Sequence, residues 1–261
     1  MSRSGGMLCQ PAPRIERSLC RDQTWSACSV DLAGVVVDLR MTSREKLARI
    51  RAGFAGFLTE GVPHFTIVIH NERDGNKSAQ TVQTLDLERR TLFLDGSIDP
   101  AHVEGALRNL LPGLLSPALL VHAALLADGR RAWLCCGSSG SGKSTLARLF
   151  PSFALGEELA AVSPVEGYFR ASALPMRTAR RGTVPLTGVH ILRHGKKNIR
   201  RRLPPAEALR ALHRHVYWPL DDQAAFSAAF ATLGELTERV PVWDLAFRPD
   251  SSAWTTISRE A

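Results

Sequence analysis

The stretch Gly137-Ser-Ser-Gly-Ser-Gly-Lys-Ser144 determines how the rest of this sequence is interpreted. It fits the pattern G-x-x-x-x-G-K-[ST] at every fixed position. An apolar run, Ala132–Cys136, leads into it, and a helical pattern starts at about Lys143. Backbone N–H groups in such a loop turn inward and form a nest for phosphate oxygens. The stretch therefore predicts a strand, a phosphate-binding loop and a helix, the central unit of an α/β nucleotide-binding domain.

Lys143 and Ser144, at the end of the loop, have specific predicted contacts with the nucleotide and its metal ion. The Lys143 ammonium is expected to reach the β- and γ-phosphates, and the Ser144 hydroxyl is expected to bind Mg²⁺. The helix that starts at Lys143 points the positive end of its dipole at the same oxygens. The predicted nucleotide-binding residues are Gly137, Ser138, Ser139, Gly140, Ser141, Gly142, Lys143, Ser144 and Thr145.

Upstream of the loop, the pattern predicts a small N-terminal α/β domain over residues 27–112, after a flexible lead-in over 1–26. A capping box at Thr42 and Glu45 predicts a helix start, and Asp99-Pro100 predicts a helix to about Leu111. Pro112-Gly113 and Ser116-Pro117 mark the predicted domain boundary. The predicted strands are a hairpin of Val30–Leu32 with Val35–Leu39, then Phe65–Ile69, Val82–Leu87 and Thr91–Leu94, with a turn at Asp74-Gly75-Asn76.

Residues 113–261 form the predicted phosphate-loop domain, built on a mixed sheet. Its predicted strands are 119–126, 132–136, 159–162, 168–173, 189–192 and 240–247. Helices are predicted from Lys143, over 206–216 and over 224–238. The whole chain is therefore expected to be an α/β protein with two domains.

Composition and missing motifs exclude several classes of protein. The net charge of +8 favours anionic partners. An N-K-x-D motif for a GTPase and an L-S-G-G-Q signature for an ABC protein are both missing. The longest apolar run, Leu114–Ala127, contains His122 and is too short to span a bilayer, so no membrane partner is expected. No signal-peptide pattern precedes Cys20, and a cytoplasmic location is the expectation.

Three passages resemble a known family. Val121-His122-Ala-Ala, the turn Asp128-Gly129 and the loop Cys136–Thr145 resemble the HPr kinase/phosphorylase group. Three further passages are similar to HPr-kinase-related proteins of peptide-maturation clusters, including the lasso-peptide kinases: Val184-Pro-Leu186, Leu203–Leu209 and Val240-Pro-Val-Trp243. The resemblance covers roughly residues 115–250 with specific motifs and 28–112 loosely. It implies an HPr-kinase-like fold with ATP and Mg²⁺ as cofactors.

The resemblance also nominates catalytic residues. Glu157 and Glu158 stand where the family carries an Asp-Asp pair. One is expected as catalytic base and the other beside Mg²⁺, with Glu158 expected as the metal ligand. A short helix is expected to return to the sheet edge in front of them. His122 matches the family's strand histidine and is expected beside the γ-phosphate or the base. The other histidines, His215 among them, show no spacing typical of a metal site and are expected to be structural.

A basic stretch follows the acid pair. Residues 170–216 contain twelve Lys and Arg against one acid, Glu207. Arginine binds phosphate and carboxylate well, so the stretch fits an acidic peptide or product phosphates. A solvated basic hairpin is an equal alternative, and the shortage of interleaved aromatic residues disfavours nucleic acid.

These features predict an ATP-dependent kinase that phosphorylates a Ser or Thr hydroxyl on a peptide or small protein, with Lys143, Glu157, Glu158 and His122 as catalytic residues. Two alternatives stay open: a kinase of a free hydroxyl compound such as serine, and a degenerate nucleotide-binding regulatory protein. HPr kinases are hexameric as a family, which leaves a homo-oligomer open.

Overall fold

The computed structural model describes residues 25–70, 82–95, 98, 100–176, 179–219 and 221–259. Within these ranges, six α-helices pack on two sheets, which confirms the predicted α/β class. Residues 1–24 of the predicted lead-in, the predicted turn at 74–76 and the predicted cap Asp99 lie outside the described residues.

The first sheet has the strand order β3-β1-β2-β4-β6-β5. Strands β2, β4 and β6 run parallel to one another, while β1 and β5 are antiparallel to their neighbours. The predicted hairpin is confirmed, but its first strand already begins at Ser26. The strands are β1 (Ser26–Leu32), β2 (Val35–Met41), β3 (Leu58–Thr59), β4 (Phe65–His70), β5 (Val82–Asp86) and β6 (Thr91–Asp95).

Two helices belong to this first unit, and both correct the prediction at one end. Helix α1 (Arg44–Gly53) is capped by Ser43, whose hydroxyl accepts a hydrogen bond from the Lys46 amide, so the predicted cap at Thr42 is wrong by one residue. Helix α2 (Pro100–Leu114) continues through Pro112 instead of ending at Leu111. Buried Leu111 and Leu115 hold this last turn in the core, which outweighs the one hydrogen bond that a proline removes.

The second sheet has the order β11-β10-β7-β8-β12-β15-β13, with β9 and β14 paired to β7. Strands β8, β12 and β15 are parallel, so their carboxyl ends meet at one edge, where the loop after β8 begins. The strands are β7 (Leu119–Ala127), β8 (Ala132–Cys136), β9 (Ala154–Gly156), β10 (Leu159–Val165), β11 (Tyr168–Ala173), β12 (Thr183–His194), β13 (Ile199–Arg202), β14 (Val216–Tyr217) and β15 (Val242–Phe247).

Four helices accompany this sheet: α3 (Lys143–Leu149), α4 (Pro205–His213), α5 (Gln223–Arg239) and α6 (Ser252–Ser258). Strands β9, β13 and β14 and helix α6 were not predicted, because each is too short or too charged to show an apolar period. The predicted extension of α4 to Val216 is wrong, since Val216 and Tyr217 pair with β7 instead. The strand predicted at 189–192 is three times as long, because β11 pairs with its first residues and β8 and β15 with its later ones.

One hydrophobic core cluster crosses the predicted domain boundary. It joins the first sheet and α2 to Leu120, Leu159 and Ala161 on the second sheet. The division at residue 112 stays a prediction, but the two units share apolar contacts that hold α2 against β7 and β10. Among the described helices, none is both long and apolar enough to cross a membrane.

Candidate active site

The loop between β8 and α3 is shaped by two close approaches that exclude a Cβ atom. Gly142 has a φ of +107°, and a Cβ there would lie 2.8 Å from the Phe247 ring on β15. A Cβ on Gly137 would lie 2.3 Å from the Ser141 hydroxyl oxygen. Glycine is the residue that tolerates both the positive φ and the contact. These glycines therefore keep the loop tight against the carboxyl end of β15.

Lys143 folds back over the loop that precedes it. Its side chain is buried, and Nζ donates hydrogen bonds to the carbonyl oxygens of Gly137 at 2.7 Å and Ser138 at 3.2 Å. Burial lowers the pKa of the Lys143 ammonium below its usual range, and the Glu158 carboxylate opposes that shift. The loop thus holds a cation where phosphate oxygens would enter.

Glu158 and His122 come together through strand pairing around β7. The Glu158 carbonyl accepts a hydrogen bond from the Ala123 amide at 3.2 Å, and Leu159 lies opposite His122 in the β7–β10 ladder. Glu158 Oε1 is 3.8 Å from His122 Nε2, which is longer than a hydrogen bond. The short helix expected before the acid pair is α3, which ends at Leu149. The unpredicted strand β9 leads from it into this turn, and its pairing with β7 sets the register.

A cleft of about 240 Å³ connects the loop with these two side chains. The Glu158 side chain at its wall is 14% exposed. Glu157 is half-buried and does not line the cleft, so the structure separates the two acids. Gly137 and Ser138, which the sequence predicts at the nucleotide, do not line the cleft either, and their carbonyl oxygens accept hydrogen bonds from Lys143 Nζ. The lining residues are His122, Ser139, Gly140, Gly142, Lys143, Ser144, Thr145 and Glu158.

Arg108 and His215 lie at this site although the sequence did not nominate them. Arg108, from α2 of the first unit, places Nη2 3.7 Å from Glu158 Oε1. The His215 carbonyl accepts a hydrogen bond from the His122 amide at 2.7 Å. Burial lowers the pKa of His215 to about 4, with further contributions from the charges of Lys143 and His122. No spacing in the sequence marks either residue, because both reach the site through tertiary contacts.

The oxygen ligands in the cleft fit Mg²⁺. This ion keeps several waters and binds through one or two carboxylates together with substrate phosphates. The Ser144 hydroxyl and the Glu158 carboxylate line the same cleft, so these two groups would hold it. Bound there, Mg²⁺ would neutralise charge on the phosphate oxygens.

The arginines on β12 and β13 lie away from Glu158 and His122. Arg200 stacks 4.0 Å over the Trp243 ring, Arg201 pairs with Glu207 at 3.3 Å, and Arg193 pairs with Asp244 at 3.0 Å. Strand β13, which carries Arg200, is separated from β7 by three strands. These three of the twelve basic residues therefore contact partners within the second sheet and helix α4, and the choice between a peptide-binding surface and a solvated hairpin stays open.

The sequence matches no family model and no curated protein. The likeness to the HPr kinase group therefore stays a prediction carried by the motifs themselves.

Proposed function

We propose that this chain is an ATP-dependent kinase that transfers a phosphoryl group to a Ser or Thr hydroxyl of a peptide or small protein. The observation that carries the proposal is the composition of the cleft. Phosphate-loop residues form one wall, and a carboxylate with an adjacent imidazole, Glu158 and His122, forms the other. Phosphoryl transfer needs these two parts: a cradle for the phosphates and a group that orients and deprotonates the nucleophile.

The loop supports the donor half of the reaction. Its backbone amides can bind the β- and γ-phosphate oxygens. The Lys143 ammonium, now bonded to the Gly137 and Ser138 carbonyls, can exchange these partners for phosphate oxygens. Its charge then stabilises the negative charge that spreads over the transferred group.

Glu158 supports the acceptor half. The acceptor hydroxyl oxygen attacks the γ-phosphorus, and its proton passes to the Glu158 carboxylate. The bond between the γ-phosphorus and the bridging oxygen breaks, and its electron pair leaves with ADP. His122 lies 3.8 Å from the same carboxylate and can orient it or the incoming hydroxyl. Glu158 would thus serve as base and, together with Ser144, would hold Mg²⁺.

The test separates nucleotide binding from transfer. Calorimetry measures Mg·ATP affinity, and mass spectrometry measures phosphate on serine-containing peptides and on free serine. We expect Lys143→Met to weaken ATP binding at least tenfold, because it removes a buried cation from the phosphate site. Lys46→Met, a half-buried lysine of α1 outside the cleft, is the matched control and should bind ATP as the wild type does.

The adjacent acids give a second comparison. Glu158→Gln should lose transfer while ATP still binds, with a weaker affinity for Mg·ATP because one of the two proposed Mg²⁺ ligands is removed. Glu157→Gln should lose much less of both, since of the two acids Glu158 is the one that lines the cleft. Transfer by Glu158→Gln at the rate of the wild type would remove Glu158 from the mechanism. A wild type that binds ATP and phosphorylates no hydroxyl would favour the regulatory alternative, and Asp at both positions would then test for a degenerate kinase.

A further inference from the structure

A second cavity, of about 710 Å³, lies between α2, the β5–β6 hairpin and β14. We call it the α2 groove. Most of its wall is apolar or aromatic, and its polar groups are few. Its lining includes Gln83, Leu85, Arg108, Asn109, Leu110, Tyr217 and Trp218. An apolar wall with a few polar side chains is the usual composition of a ligand site.

Side chains that line the α2 groove lie directly beside Glu158 and His122, which line the cleft at the loop. Arg108 lines the groove, and its Nη2 atom is 3.7 Å from Glu158 Oε1. Tyr217 also lines the groove, and its ring centre is 6.3 Å from that of His122. A molecule in the groove therefore lies beside the carboxylate that would receive the hydroxyl proton.

Polar atoms in this wall suit a polypeptide. Gln83 and Asn109 carry amide groups that can pair with the backbone of an extended chain. Arg108 Nε is buried and has no hydrogen-bond partner in the part of the chain that the structure describes. A buried donor without a partner is costly, so the guanidinium would gain a hydrogen bond by turning Nε towards an acceptor oxygen of a bound chain. Leu85 leaves 46% of its surface exposed in the groove wall, where an apolar side chain can cover it.

The arginines of strand β13 are less well placed for the acceptor. Four strand spacings of about 4.8 Å separate β7 from β13, about 19 Å in all. Arg200 and Arg201 on β13 already contact Trp243 and Glu207. The acceptor thus has a shorter approach to Glu158 from the α2 side.

We propose that the α2 groove binds the acceptor polypeptide and selects apolar residues next to the phosphorylated hydroxyl. The occupant is a peptide segment whose Leu-like or Phe-like side chains pack on Leu85, Leu110 and Trp218, with the hydroxyl extending past Arg108 towards Glu158. This inference rests on the proposed kinase function, because it assigns the acceptor side of the same site.

Two exposed leucines of the first unit give a matched test. Leu85 lines the groove, while Leu87, two residues later and 76% exposed, does not. The probes are a serine peptide flanked by Leu and Phe and a peptide of equal length flanked by Gly. We expect the wild type to prefer the apolar peptide by at least tenfold in kcat/KM, the worth of about one buried apolar side chain.

Leu85→Asp should abolish this preference by raising KM for the apolar peptide about tenfold, whereas Leu87→Asp should keep it. KM for ATP should be unchanged in both variants, and thermal melting shows whether they fold. If Leu85→Asp does not fold, Gln83→Glu, at an exposed groove position, replaces it and is expected to raise KM for the apolar peptide.

Equal use of the two peptides by the wild type, or an unchanged preference in the groove variant, would overturn the groove assignment alone. Transfer to free serine only would overturn it together with the peptide acceptor. No transfer to any hydroxyl would overturn the proposed function itself.

Discussion

Arg108 shows how one side chain can join two units of a fold. It belongs to α2 of the first unit, yet its guanidinium lies beside Glu158 on the second. A cation near a carboxylate limits the orientations of that carboxylate. Arg108 is thus a positioning residue for Glu158.

Removal of this guanidinium should slow transfer without affecting nucleotide binding. We expect Arg108→Met to lower kcat by about ten- to a hundredfold, because a carboxylate misplaced by about 1 Å costs that much in rate. The calorimetric affinity for Mg·ATP should stay within about twofold of the wild type. Arg108→Lys keeps the charge and should recover part of the loss.

Arg49→Met is the matched control for this substitution. It also removes an arginine of the first unit that pairs with a glutamate, Glu45, but at an exposed site on α1. Its kcat should equal that of the wild type. If Arg108→Met and Arg49→Met behave alike, Arg108 has no positioning role.

At the scale of the element, the loop between β8 and α3 depends on Gly142. Gly142 has a left-handed backbone, and a side chain at this position would also collide with the Phe247 ring. An alanine there would therefore carry both a backbone cost and a steric cost. Gly140 also has a positive φ, of +79°, but nothing lies within 4 Å of a Cβ placed there. Alanine at position 140 would thus test backbone strain alone, and alanine at position 142 would test backbone strain together with the steric conflict.

We expect Gly140→Ala to lower the free energy of unfolding by about 1–2 kcal/mol, the cost of a left-handed alanine. Gly142→Ala should cost more and weaken Mg·ATP binding as well, because the Phe247 ring or the loop must move. Urea unfolding and calorimetry measure the two effects. Equal costs at both positions would show that the Phe247 contact does not shape the loop.

At the scale of the whole molecule, the buried histidines link stability to pH. His190 on β12 is fully buried among the parallel strands, and burial lowers its pKa to about 3, with a further contribution from the charge of Arg200. In the unfolded chain its pKa is about 6.5. Between these values only the unfolded state takes up a proton, so stability falls as pH decreases below about 6.5.

This contribution amounts to about 2 kcal/mol at pH 5 relative to pH 7.5, since one pKa unit is worth about 1.4 kcal/mol. His190→Gln should remove this contribution and leave that of His215, whose pKa is lowered to about 4, whatever its effect on absolute stability. His194→Gln, at the exposed end of the same strand, should leave the dependence unchanged. Urea unfolding at several pH values measures the slope, and an identical slope in His190→Gln and the wild type would contradict the assignment.

The loop could be predicted from sequence because its determinants are consecutive residues. The apolar run Ala132–Cys136, the glycines and Lys143 together specify strand, turn and helix, and the structure has them at these positions. The start of α1 was predicted one residue early, because Ser43 caps the helix in place of Thr42. The end of α2 was predicted three residues early, because buried leucines hold the last turn in the core. Short paired strands such as β9 and β14 have no sequence period of their own.

The site as a whole was decided by tertiary structure. Arg108, His122, Glu158 and His215 are separated by up to 107 residues in the sequence, and the shared core and the pairing of β7 with β9, β10 and β14 bring them together. Sequence alone determined the α/β class and the unit of strand, glycine-rich loop and helix around Lys143, since the residues that specify this unit are consecutive. Which acid lines the cleft, which arginine contacts that acid and where a groove opens depend on strand register and helix packing, which arise from contacts between distant residues.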